Sequence, residues 1–190
     1  IENFKKAIKM NPNYFEAYSN LGTALIKIKK FDKAVDSFER AIEIKPDYAQ
    51  AIYGKAYALM KNKNYDEAII SFNQSLKIRP MDANAHNSIG CCLISKNEFE
   101  VSINHFVKAL ELKPNHKDAY DNLINLLKFY EPEDDYSNQL LELNKKIRNI
   151  KFKFNCEAKI NDDEIISYFR KINKFFENDK SFGNFKEEQI

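Results

Sequence analysis

The chain has 190 residues, with 30 basic against 28 acidic side chains and a net charge of +2. Charge so nearly balanced excludes nucleic-acid or anionic-membrane binding driven by bulk electrostatics, and no apolar run approaches the roughly 18 residues needed to span a bilayer. Three cysteines, two adjacent (Cys91, Cys92) and one distant (Cys156), make no disulfide framework and point to a reducing, intracellular and cytoplasmic setting.

Residues 1–14 read as the second helix of a unit whose first helix is missing. Phe4, Ala7 and Ile8 return 34 positions later as Phe38, Ala41 and Ile42. The sequence is therefore expected to be a piece of a longer protein, and the apolar side of this opening helix makes self-association an open expectation.

The first complete unit spans 15–48. Ala17, Tyr18, Leu21, Leu25 and Ile28 fall at three- and four-residue steps and predict one amphipathic helix. Phe31-Asp32 marks a turn. A second stripe, Ala34, Val35, Phe38, Ala41, Ile42 and Ile44, ends at Pro46-Asp47, where proline cannot continue the hydrogen-bond ladder.

Units 49–82 and 83–116 repeat that plan. Prolines stand at Pro12, Pro46, Pro80 and Pro114 and phenylalanines at Phe4, Phe38, Phe72 and Phe106, each 34 residues after the last. A fixed period of 34 with two helices per unit predicts an all-α stack of antiparallel helix pairs. Gly22, Ala56 and Gly90 on the first helices, with Ala34, Ala68 and Ser102 on the second, mark where paired helices approach closely. Ala7, Ala41, Ser75 and Ala109 are expected to do the same at unit junctions, with the phenylalanines filling the space between units. Lys55 departs from the plan, standing where the first unit has Leu21.

A degenerate pair is predicted over 117–150. Ala119, Tyr120, Leu123 and Leu127 keep the first-helix stripe, but Ile124 replaces a small residue and Glu131-Pro132-Glu133-Asp134-Asp135 replaces the short turn. The helix after it, about 136–150, is expected to pack differently, as an array end requires. The segment 151–190 lies outside the repeat. KFKFN (151–155) reads as a strand or extended piece. Asn161-Asp162-Asp163-Glu164 then starts a helix over about 163–178, with Ile165, Phe169, Ile172 and Phe176 folding back as a cap. Phe182 and Phe185 are candidate anchors in the tail.

Tyr18-x-x-Leu21-Gly22, then Ala34-x-x-x-Phe38, Ala41 and Pro46 resembles the tetratricopeptide repeat (TPR) family. The resemblance implies a right-handed α-α superhelix whose first helices line a concave groove. It also implies a scaffold or adaptor module that binds an extended or helical peptide segment of a partner protein. Carried over position by position, the groove takes Glu16, Ser19, Asn20 and Thr23, then Gln50, Tyr53, Gly54 and Tyr57. The third unit adds Asn84, Asn87, Ser88 and Cys91, and the fourth Asp118, Asp121, Asn122 and Asn125. Amides offer both donors and acceptors to a peptide backbone, and tyrosines supply rigid contact area. The lysines Lys27, Lys29, Lys30, Lys61 and Lys63 are placed on the opposite, outer faces.

Two groove subtypes of the family have residue patterns that can be matched to this chain. The carboxylate clamp of cochaperones uses a lysine and an asparagine, then an asparagine, then a lysine and an arginine on three successive first helices. The matching sites hold Ser19 and Thr23, then Gly54, then Asn84 and Ser88, or, one unit later, Tyr53 and Tyr57, then Ser88, then Asp118 and Asn122, and neither frame supplies the cations. An asparagine ladder like the TPR arm of O-linked N-acetylglucosamine transferase is matched by Asn20 and Asn122 and broken by Gly54 and Ser88. The alternative function is therefore the substrate-recognition arm of a larger enzyme. No catalytic, cofactor or metal constellation is found. His86 and Cys91 lie about 140° apart on their helix, a poor pair for one ion, and His105 and His116 are expected to face solvent. The four glycines form no phosphate-cradling loop.

Overall fold

The computed structural model describes residues 1–129, with side chains through residue 126. The turn at 131–135, the helices expected at about 136–150 and about 163–178, and the KFKFN segment lie outside the described residues. Those residues form eight α-helices and no strand. They are α1 (Glu2–Met10), α2 (Phe15–Lys27), α3 (Phe31–Ile44), α4 (Ala49–Lys61), α5 (Tyr65–Ile78), α6 (Ala83–Ser95), α7 (Phe99–Leu112) and α8 (Lys117–Phe129). Pairs α2–α3, α4–α5 and α6–α7 pack intimately, and α3 and α5 also pack on the first helix of the following unit.

One turn geometry builds all three hairpins. The middle residue of each three-residue linker is left-handed: Lys29 at φ 58°, Lys63 at 66° and Asn97 at 61°. The next N–H reaches back five residues, Lys30 to Leu25 O, Asn64 to Leu59 O and Glu98 to Leu93 O, at 2.9, 2.9 and 3.0 Å. This closes the first helix with a Schellman motif. A lysine strains that conformation by about 1–2 kcal/mol relative to glycine, partly offset by glycine's greater chain entropy. Lys63→Gly should thus raise stability by up to about 1 kcal/mol, read from the urea midpoint.

The core is a line of phenylalanines seated on small residues. Phe38, Phe72 and Phe106 are wholly buried, as are Ala34, Ala41, Ala56, Ala68 and Ala109. Phe38 is held edge-on between two glycines. A β-carbon on Gly22 would meet its Cε2 at 2.8 Å, and one on Gly54 would meet its Cε1 at 2.4 Å. Gly90 stands in the same relation to Phe106, at 2.6 Å. These approaches are too close for any side chain, so glycine there is a packing requirement.

The departures from the repeat are locally compensated. Ser102 Oγ donates to Gly90 O at 2.9 Å, and Ser75 Oγ to Ala49 O at 3.3 Å, so neither buried hydroxyl is left without a partner. Ser75 thereby fastens to the first helix of its own unit. Lys55 lays its stem along the interface and pairs its ammonium with Glu39 Oε1 on α3 at 2.7 Å.

Candidate functional site

The first helices form a continuous row, because α2 touches α4 and α4 touches α6 directly. Across that row the side chains pair by a rule. The fifth residue of one unit reaches the sixth residue of the next. Tyr53 Oη lies 3.3 Å from Ser88 Oγ, and Asn122 Nδ2 donates to Asn87 Oδ1 at 3.0 Å. At the first junction the pair is Ser19 and Gly54. Glycine offers no partner, and the buried Ser19 Oγ makes no hydrogen bond among the described residues.

This pairing sorts the residues expected to line the groove. Ser19 and Ser88 are 1% and 5% exposed, so neither presents a hydroxyl to an occupant. The close approach of the first helices encloses these small fifth- and sixth-position side chains. Gly54 likewise serves as a seat for Phe38. Tyr53 is half-buried, with its ring edge-on to Phe72 at 5.3 Å and stacked on Tyr57 at 6.4 Å. Burial raises its pKa. Asn87, Asn122 and Cys91 are half-buried together, and Asn122 Nδ2 also lies 3.3 Å from Cys91 Sγ. Burial raises the Cys91 pKa, which keeps it a thiol.

The accessible remainder is Asn20, Thr23, Gln50, Asn84, Asp118, Asp121 and Asn125, all exposed, with Glu16 and Tyr57 half-exposed. Thr23 Oγ1 turns back to Ser19 O at 3.1 Å. Tyr48 Oη donates to Gln50 Oε1 at 3.1 Å.

Three placements differ from the sequence reading. Lys61 is on the tyrosine side and not on an outer face, with Nζ 5.1 Å from the centre of the Tyr57 ring, where the ring's negative face attracts it. The four-residue step from Tyr57 to Lys61 was the available signal. His116 is 6% exposed and not solvent-facing. Its Nδ1 accepts the Ala119 N–H at 3.4 Å, and its Nε2 lies 3.0 Å from Asn84 Oδ1. It therefore stands at the cap position of α8, one period after Asp82, whose carboxylate caps α6 through the Asn84 and Ala85 N–H groups. His105 is half-buried, with Nδ1 3.2 Å from His86 Nδ1.

Among the described residues no group of three or more His, Cys, Asp or Glu converges as metal ligands, and no helix is long and apolar enough to cross a membrane. Cys92 is a core filler, and burial pushes its thiol up to about 12.

The repeat geometry agrees with a family match. Tetratricopeptide repeats are matched in three consecutive stretches, residues 15–48, 49–82 and 83–116. The chain belongs to the tetratricopeptide repeat family. TPR units are protein-interaction modules, so a protein partner is the class of ligand. No curated protein matches the chain.

Solved TPR structures share the fold. MamA residues 41-end from Desulfovibrio magneticus RS-1 superposes with a TM-score of 0.65 at 20% identity, covering 82% of this chain and 84% of that one. The Arabidopsis OM64 TPR domain gives 0.58 at 22% identity over 61% of this chain and 96% of that one. The first TPR domain of human RPAP3 gives 0.59 at 19%, over 62% and 93%.

Proposed function

We propose that this TPR array is a scaffold or adaptor module that binds an extended or helical segment of a partner protein along the row of first helices. The observation that carries this reading is the side-chain inventory of that row. Tyr57 with Lys61 across its face stands at the centre, and exposed amides and hydroxyls (Asn20, Thr23, Gln50, Asn84, Asn125) flank it. A half-exposed aromatic ring supplies contact area at low entropic cost, and the exposed amides keep donors that a peptide backbone can meet, with Asn84 and Gln50 already using their oxygens within the chain. The proposed role is non-catalytic. Cysteine usage, with Cys91 and Cys92 both free thiols, supports work in a reducing compartment.

The test is partner capture by the whole chain. Tyr53 is unsuited to truncation because it packs on Phe72. Tyr57→Ala together with Asn20→Arg should abolish capture of a partner held by the wild type, while far-UV helicity stays within error. Ile70→Asp, on a 59% exposed position of the second helix α5, should leave capture intact. The opposite pattern would move the site off the first helices.

A further inference from the structure

The histidines of the third unit are not idle surface groups. We infer that the joint between the third unit and α8 is proton-operated, with His116 as the group whose protonation releases the start of α8. The inference is independent of what the row of first helices binds.

The geometry assigns one tautomer. His116 Nδ1 accepts the Ala119 N–H, so Nδ1 carries no proton, and Nε2–H donates to Asn84 Oδ1. The imidazole thus links the first turn of α8 to the first turn of α6, while 6% exposed. A proton on Nδ1 turns the acceptor into a donor that faces another donor. The Ala119 N–H loses its cap, and a positive charge sits at a helix N-terminus, where the macrodipole opposes it.

The surrounding charges act in both directions. Burial depresses the His116 pKa most and the Lys113 ammonium adds to it, while Asp118, a hydrogen bond to its own backbone and Asp82 oppose them. The second pair works in the same sense. With Nδ1 atoms 3.2 Å apart, one of His86 and His105 donates to the other, and a second proton on the pair leaves two N–H groups pointing together. Burial lowers both histidines, His105 to about 4, with Lys108 also acting on His86 and Asp82 opposing.

The sign follows from linkage. A histidine whose folded pKa is depressed contributes stability that is fully present above the ordinary imidazole value near 6.5, and that stability is lost as pH falls through the folded value. Acidification therefore weakens α8 and the α6–α7 contact, whereas α2 to α5 contain no histidine. Protonation on Nδ1 leaves the Nε2–H bond to Asn84 Oδ1 in place, so the loss falls on the start of α8, at one end of the row only.

Side-chain nitrogen NMR of the three histidines, with amide exchange at Ala119, tests this on the whole chain between pH 7.5 and 4.5. The expected result is an Nε2–H tautomer for His116 and a midpoint below 6.5. Ala119 protection, corrected for intrinsic exchange, should fall severalfold before that of α2 to α5. His116→Asn keeps a capping side chain that does not titrate, and should abolish the selective loss at Ala119. A His116 midpoint at or above 6.5, an Nδ1–H tautomer, or an undiminished loss in His116→Asn would overturn the inference. The wild-type titration decides even where the variant is poorly folded.

Discussion

Phe72→Ala is expected to cost about 3–5 kcal/mol, the range for emptying a buried aromatic site, seen as a large drop in the urea midpoint. The ring is fully buried amid Ala56, Leu59, Ala68, Ala85, Ile89 and Cys92, residues drawn from three successive helices, α4 to α6. A stacked array divides its stability among neighbouring units, so a hole at this place weakens one unit and its junction together. Tyr53 leans edge-on against the same ring, so the variant should also loosen the centre of the candidate row. An unchanged midpoint would contradict the packing described.

The second large effect comes from adding atoms. Gly54→Val should cost about 3 kcal/mol, because its β-carbon alone would fall 2.4 Å from the Phe38 ring and overpacking of this kind typically costs about 1–3 kcal/mol before the branched side chain is counted. The cause is separable. In a Phe38→Ala background the ring is gone and the added valine should cost far less, a coupling that a double-mutant cycle reads directly. Equal costs in both backgrounds would show that helix propensity, and not the Phe38 seat, is responsible.

The helix pairs were legible because burial repeats. Phe38, Phe72 and Phe106 recur at the step at which the chain must again meet its own core, and Gly22 and Gly90 recur where those rings need room. Side-chain direction at the helix margins was less legible. Ser19 and Ser88 read as exposed by position, but enclosure depends on how closely the neighbouring helix approaches, and that follows from the packing of Phe38 and Phe72. Lys61 read as solvated because charge defaults to water, yet its stem lets the ammonium reach the Tyr57 ring. His116 occupies the position at which Asp82 caps the previous first helix, a correspondence visible at the 34-residue step once capping is considered. The pairing of His86 with His105 had no such signal, since nineteen residues and a turn separate them.

The fifth-to-sixth pairing has a consequence for measure. Its three members differ in reach: serine against glycine, tyrosine against serine, asparagine against asparagine. Units with the same period in sequence thus meet through different side chains, with no side-chain hydrogen bond at the first junction and one at each of the next two. On the proposed reading, two identical motifs of one occupant would therefore meet chemically different junctions, although the units repeat at one step.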